Sequence, residues 1–164
     1  LSQTLAAQLL QTLPFGLTNA QQRVVKEISG DLNRAYPMQR LLQGDVGAGK
    51  TVVAALAAML AIDAGWQCAL MAPTEILAEQ HFFKLVQWIE PLLTPLGRRV
   101  AWLTGSQKKK ERQQMLSAIE SGEAVLVVGT HAVIQHDVHF HRLGLAIIDE
   151  QHRFGVEQRL TLRQ

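Results

Sequence analysis

Cysteine is almost missing from this chain. Cys68 is the single one among 164 residues, so neither an intramolecular disulfide nor a cysteine-based zinc site can be assembled from the sequence. It lies within the apolar run Gln67-Cys68-Ala69-Leu70-Met71-Ala72, where a buried, inert thiol is expected. Long apolar stretches are missing too. The longest, Val52 to Ile62, is too short to span a bilayer, so no membrane partner is expected. No basic segment followed by an apolar stretch opens the chain, so no signal peptide is expected either, and a cytoplasmic location follows. The start on Leu1 rather than Met suggests a piece of a longer protein. Charge is sparse, at 18% against 48% hydrophobic residues, which excludes a disordered chain. A net charge of +2 is compatible with nucleic acid but too weak to argue for it alone. Neither an internal repeat nor a low-complexity segment is present. The length suits one domain with a real core.

What is present centres on Gly44-Asp45-Val46-Gly47-Ala48-Gly49-Lys50-Thr51, the G-x-x-x-x-G-K-T pattern of a phosphate-binding loop. Before it, Arg40-Leu41-Leu42-Gln43 is short and strand-like. After it, Thr51 to Leu60 is rich in Ala and Leu and helix-like. Strand, glycine loop and helix together give the pattern its meaning. Glycines leave no Cβ to block a phosphate, loop N–H groups can turn inward, and the helix N-terminus adds partial positive charge. Lys50 is expected on the β- and γ-phosphates of a bound nucleotide, and the Thr51 hydroxyl on Mg²⁺.

The rest alternates between helix and strand signals. Leu1 to Leu13 has apolar residues at helical spacing and could pack on this domain or link to a preceding one. A second helix is expected from Asn19 to about Asn33, capped by Thr18. Strands are expected at 67–72, 99–104, 124–128 and 145–150, and helices at 75–93 and 108–121. Strands that are apolar throughout and alternate with helices imply an α/β fold, a mainly parallel sheet covered on both faces. Ligands of such sheets sit beyond the C-terminal strand ends. Gly44, Ala72-Pro73-Thr74, Thr104-Gly105, Gly129-Thr130 and Asp149-Glu150 all fall there.

Asp149 and Glu150 complete the nucleotide chemistry. Asp149 is placed to hold the Mg²⁺ shell, and Glu150 to act as general base on the attacking water. Other residues compete with plainer readings. Thr74, Glu75, Gln80, Thr104, Gly105, Gly129, Thr130 and His131 have plain readings as caps and turns, and Thr74 and Thr130 suit N-caps. Lys108, Lys109, Lys110 and Arg112 could extend a DNA track or form a solvated helix face. His136, Asp137, His139 and His141 invite a metal reading, His139 and His141 on one strand face, but the segment looks like a polar loop. Trp66, Trp88 and Trp102 fit core packing better than base stacking.

Asp149-Glu150-Gln151-His152 is similar to motif II of superfamily 2 helicases. Phe15 to Gln21 resembles that superfamily's Q-motif region, which implies that Gln21 reads the adenine edge. Ala72 to His81 looks like motif Ia, Leu103 to Ser106 like Ib, and Val128 to Ala132 like Ic. Together with Asp149-Glu150-Gln151-His152-Arg153-Phe154-Gly155-Val156, these strings resemble the RecG family of bacterial fork-remodelling DNA helicases from about Leu13 to the C-terminus. The related Mfd translocases typically carry Glu-Gln where Gln151-His152 stands, and RNA helicases share only the Asp-Glu-x-His core. The resemblance implies a RecA-like domain over 13–164, the first of two helicase lobes, with residues 1–12 leading in from a preceding domain. It implies ATP and Mg²⁺ as cofactors, and translocation on branched or forked double-stranded DNA by a nucleoid-associated monomer. Through motifs Ia, Ib and Ic it implies that Thr74, Glu75, Gln80, Thr104, Gly105, Gly129, Thr130 and His131 are candidate DNA contacts. It also implies a second lobe and an N-terminal wedge domain as partners within a longer chain, with the arginine fingers of motifs III to VI outside this sequence. His152 and the Arg153-Phe154-Gly155-Val156 stretch are implied to couple nucleotide state to the second lobe.

Overall fold

A computed structural model describes residues 4–13, 26, 38–42 and 48–149. The helix expected over 19–33, apart from Lys26, and the tail after 149 lie outside these residues. In chain order the elements are α1 (Leu5–Thr12), β1 (Met38–Leu42), α2 (Ala48–Asp63), β2 (Gln67–Met71), α3 (Glu75–Leu93), a 3₁₀ turn (Thr94–Leu96), β3 (Arg99–Leu103), α4 (Lys109–Ser121), β4 (Ala124–Gly129), a second 3₁₀ turn (His131–Ile134) and β5 (Leu143–Asp149).

The five strands form one sheet in the order β1-β5-β2-β4-β3, and every pairing is parallel. Alternation along the strands divides the core. Cys68, Leu70, Val100, Leu126, Val128, Leu145 and Ile147 face α2 and α3. Ala69, Ala101, Leu103 and Val127 face α4. Both faces are covered, as the apolar strands require.

Helix α2 has no polar stripe between Val52 and Met59, and all of those residues are buried. A helix that is apolar all round needs cover on every side. The sheet covers one side. α1 covers another, with Leu5, Ala6 and Leu9 in the same cluster. The N-terminal helix therefore packs on this domain. Its first turn is fixed by Asp63, whose carboxylate accepts from the backbone N–H groups of Leu5 at 2.9 Å and Ala6 at 3.1 Å. α4 ends at Gly122, whose φ of 88° belongs to the left-handed region where a side chain is strained.

The buried Gln67 side chain ties the sheet's N-terminal edge to α4. Its amide nitrogen donates to Ile119 and Ala124 carbonyls at 2.9 and 2.7 Å, and its oxygen accepts from the Arg142 N–H at 2.7 Å. The opposite, C-terminal edge is aligned by register. Leu42 pairs with Asp149, Met71 with Gly129, and Leu103 with Gly129. The ends of the strands thus form one rim, as the motif positions require.

Candidate active site

The phosphate-loop pattern straddles the junction of β1 and α2. Gly44, Asp45, Val46 and Gly47 lie outside the described residues, as do Gln21, Glu150 and His152. Ala48, Gly49 and Lys50 form the first turn of α2. That turn carries no acidic residue, so nothing there offsets the partial positive charge of a helix N-terminus.

Thr51 follows and is buried. Its hydroxyl lies 3.0 Å from Nδ1 of His81 on α3. The other ring nitrogen, Nε2, lies 2.5 Å from Oδ2 of Asp149, the last residue of β5. His81 and Asp149 are buried as well. A carboxylate only accepts, so Nε2 donates to it; in a neutral ring Nδ1 then accepts from the Thr51 hydroxyl. α2, α3 and β5 thus converge on a hydroxyl, an imidazole and a carboxylate. Hard oxygens suit Mg²⁺, and the two groups assigned to it in the sequence, Thr51 and Asp149, meet on one ring. The donor set fits the ion. His81 was not singled out in the sequence. Its signal is a polar residue on the inward stripe of α3, beside Ala78, Leu85 and Ile89.

The other rim residues separate by depth. Thr74 is exposed and caps α3, accepting from the Leu77 N–H at 3.3 Å. Glu75, also exposed, accepts from the Ser106 hydroxyl at 2.6 Å. This bond joins two neighbouring rim loops and holds the Glu75 carboxyl below the usual carboxylate range. Gln80, Gly105 and His131 face solvent. Thr104, Gly129 and Thr130 are buried. Thr130 occupies the N-cap position of the second 3₁₀ turn, but its side chain makes no capping bond; its backbone N–H donates to Leu103 O at 3.2 Å.

Several competing readings resolve. Arg112 forms a two-pronged ion pair with Asp137, at 3.2 and 2.8 Å, which holds the Asp137 carboxyl below its ordinary range. That pairing engages the Asp137 carboxylate, and among the described residues His136, Asp137, His139 and His141 form no group of three that could hold a metal ion. His139 and His141 are not on a strand, because β5 begins only at Leu143. Trp66, Trp88 and Trp102 all pack on the core. Arg142 lies over the Trp66 ring, 4.3 Å from its centroid, and Trp102 meets Phe82 at 5.0 Å. Cys68 is fully buried, and burial pushes its thiol well above the ordinary range, as an inert thiol requires.

A family model described as DEAD/DEAH box helicase matches residues 18–164. The chain belongs to the DEAD/DEAH box helicase family. It is 58% identical over 160 residues to the ATP-dependent DNA helicase RecG of Haemophilus influenzae, covering 98% of this chain and 22% of that protein. With the ATP-dependent DNA helicase RecG of Escherichia coli strain K12 it shares 57% identity over 159 residues, covering 97% and 22%. A solved structure of RecG bound to a three-way DNA junction matches with a TM-score of 0.75 at 49% identity, over 92% of this chain and 20% of that one. The chain thus spans about a fifth of the length of these relatives. The fold of this DEAD/DEAH box member is RecA-like, as the strand-and-loop pattern and the resemblance implied. Among the described residues no helix is long and apolar enough to cross a membrane.

Proposed function

We propose that this chain is the ATP-binding first lobe of an ATP-dependent double-stranded-DNA translocase that remodels stalled forks and moves Holliday-junction branch points. The observation that carries the reading is identity of 57–58% to RecG helicases along nearly the whole chain. The buried convergence of Thr51 and Asp149 supports it. In this proposal Gly44 to Gly49 cradle the phosphates through backbone N–H groups, Lys50 neutralises the β- and γ-phosphates, and Gln21 reads the adenine edge. Thr51 and Asp149 hold Mg²⁺, which supplies charge neutralisation at the phosphate oxygens when bound. Glu150 takes the proton of the attacking water, and His152 passes the nucleotide state to a second lobe.

Thr74, Glu75, Gln80, Gly105 and His131 would meet the DNA backbone directly. Thr104, Gly129 and Thr130 would shape the loops behind them. A second RecA-like lobe and a wedge domain would belong to the same longer chain, acting as a monomer on branched duplex DNA. The bacterial origin of these two relatives supports a site of action at the bacterial nucleoid.

The test is steady-state ATP turnover by the full-length protein with a three-way DNA junction, with RNA, and with neither. Stimulation by the junction alone is expected. Lys50→Ala and Glu150→Gln should each lower turnover by a factor of 100 or more, on the order expected when a phosphate clamp or base is removed. Retained hydrolysis in both variants would sink the assignment.

A further inference from the structure

We propose that His81 is the positioning residue of the metal site: its ring holds the Thr51 hydroxyl and the Asp149 carboxylate in the arrangement that receives Mg²⁺. The inference rests on the nucleotide reading above and adds a residue to it.

Three observations carry it. First, His81 occupies an inward position on α3, between Ala78 and Leu85, and is buried. A polar ring placed there loses its water and needs partners for both nitrogens. Second, both partners are supplied, and neither is local: Thr51 lies 30 positions away and Asp149 lies 68. Every buried side-chain N or O among the described residues is likewise partnered. Third, the chemistry of the two bonds is directional. A neutral ring that donates from Nε2 to Oδ2 must accept at Nδ1, which turns the Thr51 hydroxyl hydrogen onto the ring. The lone pairs of Oγ1 are then directed away from His81, as a cation ligand needs. The same ring fixes the rotation of the Asp149 carboxylate. Outer hydrogen-bond partners of this kind orient metal ligands, and losing one typically costs about 10- to 100-fold in metal affinity.

A packing histidine would behave differently. It would affect folding and nucleotide affinity alike, without regard to the metal. The two ring nitrogens can be separated by substitution. His81→Asn keeps a polar group near Nδ1 and reaches toward Thr51. His81→Gln places one near Nε2 and reaches toward Asp149. His81→Ala keeps neither.

The experiment measures fluorescent ADP binding to the full-length protein during a Mg²⁺ titration, with a second series in EDTA and a melting curve for each variant. For His81→Ala the Mg²⁺ midpoint should rise about 10- to 100-fold, while ADP affinity in EDTA stays within about twofold of wild type. His81→Asn and His81→Gln should fall between, and they carry the test if the alanine variant does not fold. An unchanged Mg²⁺ midpoint in the folded variants would overturn the proposal. So would a loss of ADP affinity that is equal with and without the metal. A wild-type protein that binds no ADP with or without Mg²⁺ would instead overturn the nucleotide reading itself, and one whose ADP binding ignores Mg²⁺ would overturn the metal role of Thr51 and Asp149, and that of His81 with it.

Discussion

Gly129 ends β4 with no room for a side chain. A Cβ built there would lie 1.8 Å from the Leu103 carbonyl oxygen and 2.9 Å from a Val133 methyl. The first neighbour is backbone on the adjacent strand and cannot swing aside. Gly129→Ala should therefore destabilise the fold by about 3 kcal/mol or more, by overpacking between paired strands. Urea unfolding of purified protein would read this directly, and a loss below 1 kcal/mol would contradict the geometry. In the sequence the position of this glycine at a strand end was visible, but its distance to β3 was not. His81 shows the same limit from the other side. Its spacing on α3 was legible, but its two partners come from elements that only the folded sheet brings near. The pairing of Arg112 was likewise hidden, since nothing in the order of residues links it to Asp137.

At the scale of elements, α1 depends on the far end of α2. Asp63 accepts from the N–H groups of Leu5 and Ala6, which α1 cannot satisfy within itself. Asp63→Ala should cost about 1 kcal/mol, as removal of a helix cap does. The loss should be local, so amide exchange should speed up in α1 ahead of the sheet. Uniform acceleration across β2 and β4 would argue against a capping role. The Leu5, Ala6 and Leu9 stripe was readable, but not which surface would cover it. Helix α3 was readable in full, 75–93 as expected, because Thr74 caps it and its apolar spacing is regular. The strands were equally plain, since burial on both faces leaves them continuously apolar. Their edges were less so. β5 starts two residues earlier than its apolar run, where Leu143 joins the ladder opposite Gln67, and pairing rather than side-chain character sets that limit.

For the molecule as a whole, the chain spans about a fifth of its relatives, and in the function proposed above a second lobe would complete the nucleotide site. The isolated chain should therefore bind Mg-ADP weakly and hydrolyse ATP very slowly, with no stimulation by a DNA junction. Calorimetry and a coupled ATPase assay on the isolated chain would check this, and DNA-stimulated turnover at the rate of the full-length protein would refute it.

The pairing of β1 with β5 sets a schedule as well as a shape. Among the described strands β1 is made first, yet in their sheet it has no neighbour except β5, the last of the five. Contacts between distant segments form slowly and only after the intervening chain is available. On the ribosome β1 and α2 must wait for β5 to emerge, so Thr51 and Asp149 can meet on His81 only after all five described strands have been made. A nascent chain stopped before β5 would carry an apolar β1 without its ladder, the kind of unpaired segment that chaperones recognise.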